Sequence, residues 1–197
     1  MSEYSFLTEQ LIAELPNDAV WIGWSLGGLL AMNIAIQHQV RGLVMIATSP
    51  RFVTAKDWPH AMTPKVLQQF ASQLQVDTAG TLRRFLALQV RGCDNAREQL
   101  RKLSFFSANP PKIDALHSGL QLLQNTDLRS QLQQINCPSL LCLGKRDKIV
   151  PVEVGEACQI YWPTLNKIII KPAAHIPFLS HPEIFMHILR DFLDGLD

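Results

Sequence analysis

The sequence predicts an α/β fold, a mostly parallel sheet flanked by helices with a helical subdomain inserted into it. Three observations carry this. Four short apolar runs, "AVWIGWS", "GLVMIAT", "PSLLCLG" and "KIIIKPA", lack polar–apolar alternation, the pattern of strands buried on both faces in a parallel sheet. Helical periodicity separates the runs, as in chains built of βαβ units. Between the second and third runs, residues 51–124 carry only helical signals, and a stretch of that length cannot be a loop.

Taken in order, residues 5–15, "SFLTEQLIAEL", place Leu7, Leu11 and Leu15 on one helical face with Ile12 beside them. Ser5 is a candidate cap and Pro16-Asn17 an end signal. "AVWIGWS" is the first strand. "LGGLLAMNIAIQH" is a helix whose small residues Gly28, Ala31 and Ala35 allow close approach to a sheet. Gly42 to Thr48 forms the second strand. In the insertion, Thr63-Pro64 is a cap followed by proline at the first helical position. Helices are predicted at 64–75, 78–91, 94–105 and 111–124, broken at Gly92 and Pro110-Pro111. Strands return at 138–144 and 167–173, and a last helix runs through "EIFMHILRDFLDGL". The predicted division is a core of residues 1–50 and 125–197 around a helical lid, 51–124.

Composition narrows the function classes. The chain has 197 residues, 47% of them hydrophobic, and a net charge of +1, so it is expected to form one globular domain and not a polyelectrolyte binder. No apolar run approaches the ~18 residues of a membrane span. Cys93, Cys137, Cys142 and Cys158 form no C-x-x-C pair, and Cys137 and Cys142, at or in an apolar run, read as small buried hydrophobes. With no secretory leader pattern at Met1, a cytoplasmic setting is expected.

The chemistry centres on Gly23-Trp24-Ser25-Leu26-Gly27, a G-x-S-x-G at the end of a buried strand and the start of a helix. That context is the one a nucleophile elbow requires. Here a side chain on Gly23 or Gly27 is expected to clash with neighbouring chain. A serine needs a base, itself oriented by an acid. Of the six histidines, His175 alone directly follows an apolar strand, with His181 its nearest rival. Asp147 follows "SLLCLG" in the same manner, whereas Asp127 reads as a helix cap. Ser25, Asp147 and His175 thus stand at three strand ends on one sheet edge, where ligands collect in open α/β sheets.

These residues, with "WIGWSLGGLLA", "RFLALQ", "GLQLLQNTDLR" and "AAHIPFLSHP", resemble the α/β-hydrolase superfamily. More narrowly, the chain resembles the carboxylesterases that cleave pimeloyl-[acyl-carrier protein] methyl ester in biotin synthesis. The resemblance implies Ser25 as nucleophile, Asp147 as acid and His175 as base. It implies an oxyanion N–H from Leu26 and a substrate channel lined by Phe85, Leu86, Ala87, Leu88 and Gln89. It further implies an acyl-carrier protein as partner, met by Arg84, Arg97 and Arg101, while another basic position of the family falls here on Gly80. No metal or organic cofactor, nucleic acid or membrane is implied, and the complete protein is expected to be a monomer.

The residues alone are compatible with the basic face. Arg97 and Arg101 are four apart and Arg84 and Arg91 seven apart, spacings that share a helix face. Members of this family begin with roughly sixty residues more, which hold the first strands of the sheet and a second oxyanion donor. Without them "AVWIGWS" is expected to be a bare sheet edge. Two other readings follow: an inactive piece of such an enzyme that retains its carrier-binding face, or a hydrolase of the same fold acting on another small ester.

Overall fold

The computed structural model describes residues 3–14, 16, 18–106 and 112–196. The chain opens with α1 (Glu3–Glu14), followed by β1 (Val20–Trp24), α2 (Leu26–Gln37) and β2 (Gly42–Ile46). A helical stretch follows: α3 (Pro64–Val76), α4 (Thr78–Gln89), α5 (Ala96–Phe106) and α6 (Ile113–Asn125). The chain then returns through a 3₁₀ turn (Arg129–Gln134), β3 (Ser139–Gly144), α7 (Val154–Tyr161), β4 (Asn166–Ile170), α8 (Pro177–Ser180) and α9 (Pro182–Asp194). Ser5 lies inside α1 and is not its cap. Leu15, Asn17 and the break at Pro110-Pro111 lie outside the described residues.

The four strands are parallel and stand in the order β1-β2-β3-β4. Every residue of β2 and β3 is buried, which explains their unbroken apolar sequence. Alternate side chains feed two cores. Leu43, Met45, Leu141 and Leu143 pack with α2, the 3₁₀ turn and α7. Val44, Ile46, Leu140 and Cys142 pack with Phe185 and Leu189 of α9. Each fully buried leucine, such as Leu29 or Leu43, contributes about 1.5–3 kcal/mol.

The outer strands differ from the expectation of burial on both faces. No strand pairs with the outer side of β1 among the described residues, and Ile22 is 50% exposed there. The reason is position: an edge strand has a partner on one side only. Residues 51–63, between β2 and α3, form an irregular segment with isolated bridges Val53–Met62 and Ala55–Trp58. An ion-pair cluster fastens it to the far end of the helical stretch. Arg51 and Arg129 both bind Asp127, Arg129 also binds Asp57, and the Arg129 guanidinium lies over the Trp58 and Tyr161 rings. Asp127 is the hub of that cluster more than a helix cap, although its carboxylate also accepts the Arg129 N–H at 3.3 Å.

Candidate active site

Ser25 occupies the turn between β1 and α2 with φ 53° and ψ −118°, a region that non-glycine residues rarely adopt. The surroundings hold it there. Its N–H donates to the Ile46 carbonyl at 2.9 Å, and its own carbonyl accepts from Gly28 N–H at 3.0 Å and Leu29 N–H at 3.2 Å. The Thr48 hydroxyl donates to the same carbonyl at 2.7 Å. A Cβ on Gly23 would come within 2.4 Å of the Gly27 carbonyl oxygen, so the turn closes only over a glycine. The expectation for Gly27 is corrected: a Cβ there would meet nothing within 4 Å, because that position faces open space. Gly28 is the crowded one, its would-be Cβ 2.6 Å from Thr48 Cγ2.

The loops after β3 and β4 bring the other two groups. Asp147 is almost fully buried, and its Oδ1 accepts the Ile149 and Val150 N–H groups at 2.7 and 3.1 Å. Its Oδ2 lies 2.7 Å from His175 Nδ1. His175, 1% exposed, presents Nε2 to Ser25 Oγ at 3.0 Å. In the tautomer with the proton on Nδ1, which a carboxylate at that nitrogen favours, Nε2 can accept from the serine hydroxyl. The Leu26 N–H begins α2, where a helix has no internal acceptor for it, and the helix dipole adds positive potential there. His181 pairs instead with the Ser180 hydroxyl at 2.9 Å. Among the described residues no cluster of histidine, cysteine or acidic side chains could hold a metal.

Ser25 opens onto a largely apolar cavity of about 320 Å³ beneath α3, α4 and α6. Phe85, Leu88 and Gln89 line it. Leu86 and Ala87 do not: Leu86 packs beside Ala174 and Ile176, and Ala87 is exposed. A helix turns about 100° per residue, so a five-residue run can offer one wall only its i, i+3 and i+4 positions. Gln89 is buried and its Oε1 accepts no hydrogen bond among the described residues. A larger open groove, about 940 Å³, lies by Asp18, His38 and Asn136 at the opposite ends of the strands, away from Ser25.

On the outer surface Arg97 and Arg101 are exposed. Arg84 is engaged by the Thr81 hydroxyl at 2.8 Å and by Asp77 at 3.6 Å. The Gly80 N–H is capped by the Asp77 carboxylate at 2.8 Å, and a Cβ on Gly80 would displace that carboxylate. Two contacts were not read from the sequence, the Thr48 bond to Ser25 and a bond from Trp24 to His175.

Parallel strands whose C-terminal loops bring serine, histidine and aspartate into hydrogen-bond contact define an α/β hydrolase. The family model for the alpha/beta hydrolase fold matches residues 4–182. Among solved structures, an esterase from Exiguobacterium antarcticum superposes with a TM-score of 0.84 at 19% identity, covering 97% of this chain and 74% of that one. The enol-lactonase from Burkholderia xenovorans gives 0.80 at 17% identity, covering 98% and 74%; at such identities the likeness is one of fold. Sequence relatives are closer. The pimeloyl-[acyl-carrier protein] methyl ester esterase of Shewanella woodyi is 43% identical over 94% of this chain and 75% of its own length. That of Stenotrophomonas maltophilia is 44% identical over 94% and 73%. The chain belongs to the family of pimeloyl-[acyl-carrier protein] methyl ester esterases, carboxylic ester hydrolases of the α/β-hydrolase fold. No helix among its described residues is long and apolar enough to cross a membrane.

Proposed function

We propose that this chain hydrolyses the methyl ester of pimeloyl-[acyl-carrier protein], with Ser25 as nucleophile, His175 as general base and Asp147 as the acid that orients it. The observation that carries the reading is the continuous hydrogen-bonded line from Ser25 Oγ through the imidazole to a buried carboxylate, at the mouth of an apolar cavity. Its volume, about 320 Å³, is at the lower end for small-ligand sites. His175 Nε2 takes the hydroxyl proton as Oγ bonds to the ester carbonyl carbon. The carbonyl electron pair moves to oxygen, to which the Leu26 N–H donates a hydrogen bond. Collapse expels the methoxy oxygen, which leaves as methanol with the proton from Nε2. Water then attacks the acyl-enzyme by the same proton route, and the free carboxylic acid remains on its carrier. Asp147 holds the Nδ1 proton throughout and stabilises the transient imidazolium.

The helices of residues 51–124 act in this reading as a lid that supplies the apolar wall. Their basic residues, Arg97 and Arg101 on α5 and Arg84 on α4, meet the acidic carrier protein. A local excess of positive charge, left after Glu98 pairs with Lys102, steers an oppositely charged partner. The test uses the purified chain, its Ser25→Ala variant and an Arg97→Glu/Arg101→Glu double variant. Wild type should hydrolyse p-nitrophenyl butyrate and Ser25→Ala should not; equal background rates would end the esterase reading. Charge reversal should slow carrier-bound turnover at low salt and spare the small ester. Unchanged carrier-bound turnover would end the docking assignment.

A further inference from the structure

We propose that the indole N–H of Trp24 is a positioning element for the His175 imidazole, an inference that rests on the esterase reading above. Trp24 fills the variable position directly before Ser25. Its Nε1–H donates to the main-chain carbonyl of His175 at 2.8 Å. Its ring centroid lies 5.5 Å from the imidazole, and 5.3 Å from Phe178 in an edge-on arrangement. One residue thus touches both partners of the proton transfer. Its backbone leads into the strained serine, and its side chain grips the peptide that carries the base.

The His175 carbonyl takes no backbone N–H among the described residues. The nearest backbone–backbone hydrogen bond on its N-terminal side is at Ala173, whose carbonyl accepts the Arg146 N–H at 2.9 Å, while the Ala174 N–H turns to the Cys93 sulfur. The next contacts on the C-terminal side are made by Ile176, and Pro177 has no N–H to give. Between these anchors the indole is the donor that fixes the peptide plane of His175. A buried carbonyl deprived of its donor turns to find another, and the imidazole is attached to the residue that turns. Asp147 and Ser25 hold the two ring nitrogens at 2.7 and 3.0 Å, but the Ser25 contact is given up once Oγ bonds to the acyl carbon, and the one remaining hydrogen bond leaves the ring free to pivot about it. The second constraint comes from Trp24.

The experiment compares Trp24→Phe with Trp24→His. Phenylalanine keeps an aromatic ring and removes the donor. In histidine, Nε2 is as many bonds from Cβ as the indole Nε1, so a smaller ring returns a donor to the same place. Steady-state kinetics on p-nitrophenyl butyrate are read beside the low-field proton resonance of His175 Nδ1–H. Trp24→Phe should lower kcat by up to ~10²-fold, the scale of an ångström-level misplacement. KM should stay within a few-fold of wild type, and the low-field resonance should broaden or disappear. Trp24→His should recover most of both signals. Wild-type kcat and resonance in Trp24→Phe would overturn the proposal. So would equal losses in the two variants, since ring bulk and not the N–H would then be responsible. The resonance needs no turnover: a wild-type chain that cleaved no ester would refute the esterase reading, while the spectra would still decide the role of Trp24.

Discussion

Replacing Asp147 by asparagine tests the proposed proton route at its most constrained point. Asp147 Oδ1 accepts two main-chain N–H groups, from Ile149 at 2.7 Å and Val150 at 3.1 Å. These donors dictate which way the new amide faces, because turning it round would set N–H against N–H. The amide oxygen must take the Oδ1 place, leaving the NH₂ group where Oδ2 now stands, 2.7 Å from His175 Nδ1. Nδ1 then has to accept, so the imidazole proton moves to Nε2. A protonated Nε2 at 3.0 Å from Ser25 Oγ donates to the hydroxyl and can no longer receive its proton. Trapping the wrong tautomer in a serine–histidine–aspartate site costs kcat about 10⁴-fold, or about 5.5 kcal/mol of barrier at ~1.36 kcal/mol per decade. The assay is p-nitrophenyl butyrate hydrolysis by wild type and Asp147→Asn, with circular dichroism to establish that both are folded. Loss of less than about tenfold in a folded variant would refute the tautomer argument.

Three further outcomes follow from the geometry. Gly28→Ala places a methyl 2.6 Å from Thr48 Cγ2 and should destabilise the fold by ~1–3 kcal/mol. Gly27→Ala, with nothing within 4 Å, should stabilise α2 by ~0.5–1 kcal/mol; thermal melts in the reverse order would refute this. Burial works against ionisation of Asp127, but hydrogen bonds from Arg129 and Arg51 outweigh it and hold its pKa at about 2, below the ordinary 3.8. Its depressed value stabilises the fold fully above pH ~4 by about 2 kcal/mol, lost as pH falls towards 2. Urea unfolding of wild type and Asp127→Asn should therefore converge in acid, and a gap unchanged between pH 6 and pH 2.5 would contradict it. Burial pushes the Cys142 and Cys158 thiols up to about 12. Both should resist a thiol-reactive disulfide reagent at pH 8 until the chain unfolds, which mass spectrometry of the labelled sites can check.

The strand ends were legible because each candidate group follows an apolar run closed by a turn, so sequence order alone put Ser25, Asp147 and His175 on one sheet edge. The ties that orient them were not. The Trp24 bond to His175 joins residues 151 positions apart, and the Thr48 bond to Ser25 joins residues 23 apart. No local pattern marks a side chain that will meet a distant carbonyl. Gly27 shows a different limit: a motif tells where glycine stands, not which glycine is crowded. Leu86 and Ala87 turn away from the cavity because the helical period points them off the wall that Phe85, Leu88 and Gln89 share. The exposure of Ile22 depends on which strand borders β1, a long-range fact absent from the run itself.

Ser25 and His175 come from the two outermost strands of the described sheet, β1 and β4, yet they touch. At ~4.8 Å per strand, three spacings separate those strands by ~14 Å, and the His175 loop arches back across that width. The contact can therefore persist only while all four strands keep their spacing and alignment. Reactivity of the serine becomes a ruler laid across the sheet. In a urea series, phosphonylation of Ser25 by a fluorophosphonate should report the first slippage of any strand, before circular dichroism records a loss of helix.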